Sequence, residues 1–200
     1  GGGVRLGTGR GGELLFGVRV WSVMGHTVTG GFIFLAGRSR WDGKTGFWGA
    51  VGYAVAPGVT ASSMIMSTDP VMMACWSAAL YCWIRAVRGR GQVWWWALAG
   101  IALGAALLAK YTAAAFLGGM IGYGLFSARR RVWLGPVLMV AAMLAVFWPN
   151  ILWQMTNDFV TIGHVAEDAA PAGQHYNLAK LAEFIGTQFG VIGPVWFVLI

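Results

Sequence analysis

The chain has 200 residues, 58% of them hydrophobic and only 10% charged, with a formal net charge of +7. A soluble domain carries roughly 25% charged residues, so the composition excludes an ordinary water-soluble globule and points to lipid as the solvent, in keeping with a mean hydropathy of +0.65. In a soluble chain the positive balance would raise nucleic acid as a partner; here the charge sits in short connections between apolar runs, and no nucleic acid is expected.

The opening stretch "GGGVRLGTGRGGELLFGVRV" carries no signal-peptide pattern. Its "GTGRGG" at 7–12 follows no strand and reads as linker rather than as a phosphate loop. A helix needs about 20 apolar residues to cross the hydrocarbon core, and seven runs qualify: 18–37, 46–66, 70–86, 93–109, 111–127, 132–149 and 180–200. They are too long and too continuous for the alternating strands of a β-barrel. The expected fold is therefore all-α, a polytopic transmembrane helix bundle. Twelve Trp and eleven Phe suit such a bundle, because large aromatics anchor helices at the interfaces. The 31 glycines, "GGMIGYG" at 118–124 among them, are read mainly as points of close helix packing.

The first run holds His26, read as a satisfied core histidine, and begins near Arg19, which either snorkels or reaches a phosphate. In the fifteen-residue stretch "SSMIMSTDPVMMACW", Asp69 stands between two apolar runs, directly before Pro70. Proline suits the first turn of a helix, and an aspartate there is either a cap or a functional carboxylate. Cys75 and Cys82 lie within one run and read as buried thiols; no cysteine or histidine spacing supports zinc or a disulfide. Residues 93–127 are too long for one crossing, so they are expected to form a hairpin with Lys110 at its tip. That lysine either snorkels or binds an anionic head group, since ionisable residues in apolar segments are functional candidates.

Nine of the fourteen basic residues fall in three connections, "GRSRWDGK" at 37–44, "RAVRGR" at 85–90 and "ARRR" at 128–131. The positive-inside rule places these loops in the cytoplasm. Alternation then sends Asp69, Lys110 and the segment 150–179 to the opposite, extracytoplasmic side. That segment is expected to leave the membrane at Pro149. It carries Asn150, Gln154, Asp158 and His164 among interfacial aromatics, as well as the isolated His175. The histidines are too scattered to argue for a divalent metal, and no motif implies a cofactor.

The segments "STDPVMMACWSAALYCWIRA", "WWWALAGIALGAALLAKYTA" and "RRRVWLGPVLMVAAMLAVFWPNILWQMTNDFVTIGHV" resemble glycosyltransferase family 39. This group comprises the dolichyl-phosphate-mannose–protein mannosyltransferases and bacterial relatives that modify lipid A and lipopolysaccharide core. The resemblance extends over nearly all of residues 14–200. It implies the GT-C membrane fold and the transfer of a sugar from a polyprenyl-phosphate carrier to a lipid or protein acceptor at the periplasmic face of the inner membrane. It assigns Asp69 to the family's acidic residue at the outer end of a helix, and Lys110 to the lysine that faces the carrier phosphate. Arg19, Asn150, Gln154, Asp158 and His164 are the remaining candidates for substrate or carrier contact. The family's principal catalytic acid lies in a first outer loop ahead of the matching region. The chain is thus expected to be a piece of a longer protein, a partial transferase domain over 1–200. A polytopic lipid or solute transporter is the alternative; it would place its polar residues at the midplane of broken helices.

Overall fold

The computed structural model describes residues 3–64, 67–88, 93–126, 134–157, 159 and 178–192, with the side chains of the first helix described from residue 20 onward. All regular elements among them are helical: α1 (Gly3–Arg40), α2 (Gly43–Val55), α3 (Pro57–Met64), α4 (Asp69–Arg88), α5 (Trp94–Ala109), a 3-10 turn (Tyr111–Ala114), α6 (Ala115–Phe126), α7 (Leu134–Thr156) and α8 (Leu178–Ile192).

Of the seven runs expected to cross a membrane, three form helices long and apolar enough to do so among the described residues: Val20–Arg40, Asp69–Arg88 and Leu134–Thr156. The helix Trp94–Ala109 is equally apolar but has 16 residues, a length of about 24 Å. The run 46–66 is not one span but two short helices. Proline disfavours the α conformation in the residue before it, and Ala56, preceding Pro57, is extended at φ −63 and ψ 129. Its carbonyl then accepts from Val59 and Thr60 at 3.0 and 3.1 Å, starting α3. The run 111–127 is likewise divided into the 3-10 turn and α6. The run 132–149 was bounded at Pro149, where the chain was expected to leave the membrane; α7 carries that proline inside it and continues as helix to Thr156. A proline forfeits one backbone bond, and seven further helical residues follow regardless.

Contacts along the helices fix their directions. α1 and α2 are antiparallel: a Cβ on Gly37 would lie 2.6 Å from the Cα of Gly46, and His26 meets Tyr53. α4 runs parallel to α1, with Pro70 beside Gly25, Tyr81 beside Phe32 and Arg88 bonded to the Ser39 carbonyl. α5 returns antiparallel to α4, Trp95 meeting Tyr81. α6 then runs parallel to α4, Phe116 packing on Trp76 and Tyr123 on Trp83, so residues 93–126 form the expected hairpin. α7 lies parallel to α5, in contact so close that a Cβ on Gly100 would strike the Met139 carbonyl. Glycine at such a crossing lets backbones approach and strengthens packing where no water drives association. The core gathers there, with Leu103 and Met139 fully buried among Ala79, Ala99 and Ala106. Three glycines of "GGMIGYG" do not share this role: Cβ atoms on Gly118, Gly119 and Gly122 would meet nothing within 4 Å among the described residues.

This zigzag sorts the polar residues by end. Arg38, Arg40, Lys44, Arg85 and Arg88 lie where α1 and α4 finish and α2 and α5 begin. Asp69, Lys110, Tyr111, Asn150 and Gln154 lie at the other end.

Candidate functional site

Asp69 opens α4 rather than capping it. The Ser67 hydroxyl accepts its N–H at 3.0 Å, and the Thr68 carbonyl begins the helical ladder by accepting from Met72. Pro70 follows in the first turn, where its missing donor is not needed, and is buried against α1 at Gly25. That contact sets the carboxylate beside the wall formed by α1.

Lys110 comes from the opposite direction. α5 stops at Ala109, and Lys110 is extended at φ −161 and ψ 129, its N–H bonded to the Ala106 carbonyl at 2.9 Å. Its own carbonyl accepts from Ala113 at 3.1 Å, beginning the 3-10 turn. The helix therefore breaks at the lysine, and the side chain leaves the bundle end toward α4. Lys110 Nζ stands 2.6 Å from Asp69 Oδ1. The two side chains are 44% and 37% exposed. An ion pair this open contributes little to stability because water screens it, yet a ligand can reach it. An ammonium carries three donors, of which Asp69 takes one.

The residue after the lysine ties this turn to α7. The Tyr111 hydroxyl donates to Asn150 Oδ1 and accepts from Gln154 Nε2, both at 2.9 Å. Asn150 and Gln154 are four apart, hence on one helical face, because α7 persists beyond Pro149. Gln154 is buried to 3% exposure, and its Oε1 has no partner among the described residues. Thr112 Oγ1 donates to Met72 Sδ at 3.5 Å, a second link back to α4.

On the other side of Asp69 is a cavity of ≈ 510 Å³ between α1, α2, α3, α4 and α8. Its walls are mostly apolar, with Trp48, Val59, Met72 and Met73; the polar groups are His26, Tyr53, Ser62 and Asp69. His26 Nδ1 lies 2.7 Å from the Tyr53 hydroxyl, and its Nε2 lies 3.3 Å from Ser62 Oγ.

Of the residues singled out in the sequence, Asp69 and Lys110 are brought into direct contact. Asn150 and Gln154 gather around Tyr111, next to the lysine. Arg19 lies on α1, but its side chain is outside the described residues, as are Asp158 and His164. His26 is hydrogen-bonded, as expected of a core histidine, but it also forms part of a cavity wall. Tyr53, Ser62 and Tyr111 were not singled out. Adjacency to Lys110 was a signal for Tyr111; nothing in the spacing linked Tyr53 or Ser62 to His26, because the first contact needs the antiparallel packing of α2 on α1 and the second lies beyond the break at Ala56. Among the described residues, no three His, Cys, Asp or Glu side chains are grouped to hold a metal ion, and Cys75 and Cys82 are free thiols.

Residues 4–153 match the family described as dolichyl-phosphate-mannose-protein mannosyltransferase. The chain is also similar to lipid A galacturonosyltransferase RgtD of Rhizobium johnstonii, with 31% identity over 151 residues. The matched part is 75% of this chain and 32% of that relative, so the chain spans about a third of the length of the curated relative it matches. No solved structure matches the chain significantly.

Proposed function

The chain belongs to the dolichyl-phosphate-mannose-protein mannosyltransferase family, and from that premise we propose that the intact protein is an integral-membrane glycosyltransferase. It moves a sugar from a polyprenyl-phosphate carrier to a lipopolysaccharide-type lipid or a protein acceptor. The observation that carries this reading is the 2.6 Å pairing of Lys110 with Asp69 at the bundle end away from the arginines, beside an apolar cavity. The arginine end faces the cytoplasm, following the positive-inside rule, and the Asp69 end faces the periplasm of an inner-membrane protein. Carrier, sugar and acceptor then meet at the membrane surface.

In the transfer the bond between the anomeric carbon and the carrier phosphate breaks, and a bond to the acceptor oxygen forms. The phosphate departs with the electron pair, and the Lys110 ammonium stabilises that charge. Asp69 orients the acceptor hydroxyl or takes its proton, once the phosphate shares the ammonium. The similarity to a lipid A galacturonosyltransferase favours a uronic acid donor and a lipid A-type acceptor over a protein. A transporter would carry its polar groups at the midplane; here the helix break at Lys110 lies at one end of the bundle.

The test is transfer of radiolabelled sugar from a polyprenyl-phosphate donor by the intact protein, compared with Lys110→Ala and Asp69→Ala. Both variants are expected to stay folded and lose transfer. Full transfer by both would overturn the site, and movement of donor across vesicles without covalent transfer would favour the transporter.

A further inference from the structure

The cavity beside Asp69 has a chemical pattern that the ion pair does not explain. Its apolar lining is interrupted on one side by three hydrogen-bonding side chains from three different helices, His26 of α1, Tyr53 of α2 and Ser62 of α3. Neutral imidazole has one N–H and one acceptor nitrogen, and each hydroxyl has one hydrogen. The trio therefore holds three hydrogens but forms two links, His26 to Tyr53 at 2.7 Å and His26 to Ser62 at 3.3 Å. If Nε2 carries the proton, the Ser62 hydrogen is left over; if Nδ1 carries it, the Tyr53 hydrogen turns to Thr29, which also hydrogen-bonds that hydroxyl and spends its own hydrogen on the Gly25 carbonyl. The Ser62 hydroxyl is thus free to donate in the first tautomer, and in both tautomers the Ser62 and Tyr53 oxygens keep lone pairs free to accept. Trp48, 61% exposed, lines the same cavity and offers a flat apolar surface.

A pyranose ring presents this combination of needs: hydroxyls that both donate and accept on its edge, and an apolar C–H face. The volume of ≈ 510 Å³ falls within the range of small-molecule sites, about 300–1,000 Å³. Asp69 lines the cavity and at the same time holds Lys110, so a phosphate on the ammonium puts the group attached to it at the cavity mouth. We propose that this cavity is the sugar-ring subsite for the donor, with the His26–Ser62–Tyr53 trio reading ring hydroxyls and Trp48 covering one face. The inference rests on the carrier-phosphate reading of Lys110. It makes Ser62 and His26 specificity-determining residues of the transfer.

The experiment measures the affinity of the intact, detergent-solubilised protein for polyprenyl phosphate, bare and carrying galacturonic acid, galactose or mannose. The wild type is expected to bind one of the sugar-bearing forms about tenfold tighter than the bare carrier. Ser62→Ala and His26→Phe should remove most of that increment and flatten the preference among the three sugars, while bare-carrier affinity stays at the wild-type level. Ser62→Ala is a small change that keeps the assay informative if His26→Phe does not fold. A sugar increment that is absent in the wild type, or that survives Ser62→Ala, overturns the subsite. So does an equal loss of bare-carrier affinity in these variants. Lys110→Ala is the separate control: unchanged bare-carrier affinity there defeats the phosphate reading, whatever the sugar increment does.

Discussion

Where α1 and α4 finish, Arg40 stacks on Trp41 and Arg85 on Trp95, at 5.2 and 4.9 Å from the ring centres, and Arg88 donates to the Ser39 carbonyl. At the other end, Lys110 meets a carboxylate, and the neutral groups of Tyr111, Asn150 and Gln154 bond one another. The first set of cations is spent on aromatic faces and a backbone carbonyl, contacts that hold the side chains at the helix ends. The second is a cation and an anion from two helices, half open to a ligand and next to a cavity. Charge alone does not mark a site in an apolar protein; what surrounds each charge does.

The two ends are expected to differ most in Lys110→Ala. We expect sugar transfer by the intact protein to fall by about two to three orders of magnitude, while Arg88→Ala keeps most of it. Equal losses at the two ends would erase the distinction. Between the ends, Gly100→Val forces a branched side chain into the Met139 carbonyl. The expected loss is about 1–3 kcal/mol, read from thermal unfolding in detergent, with both ends losing order together. Tyr111→Phe removes the links to Asn150 and Gln154 at once. It should cost about 1–2 kcal/mol and lower transfer, because the turn holding Lys110 loses its tie to α7. The smallest effect is expected at Asp42, whose carboxylate caps α2 by accepting from Thr45 N–H at 2.7 Å. That bond holds its pKa below the usual 3.8. A lowered pKa stabilises the fold above the unfolded value and ceases to do so as pH falls through the folded one. Asp42→Ala should therefore be slightly less stable near neutrality and match the wild type in strong acid, with transfer unchanged.

Much of this architecture was legible in the sequence because lipid imposes simple rules. Run lengths and the placing of arginines led to the hairpin at Lys110, and the hairpin put that lysine at the same end as Asp69. The local breaks were harder. Pro57 splits an apolar run by acting on Ala56, whereas Pro149 sits inside α7 without ending it; the residue alone does not distinguish the two outcomes. His26 was legible as a bonded histidine, but its partners are 27 and 36 residues away, and the farther one lies beyond that same break. The open glycines of α6 could not be told from the packed ones of α5, since both show small residues four apart and only the neighbours differ.

The proposed chemistry requires the Asp69 end and the arginine end of the bundle to face opposite surfaces of the membrane. With Cys75 and Cys82 replaced by serine, single cysteines at 39, 69 and 110 can be labelled with a membrane-impermeant maleimide in intact spheroplasts. Positions 69 and 110 are expected to react from outside, and position 39 only after permeabilisation. Labelling of 69 and 110 from opposite sides, or of 39 together with both, would contradict it.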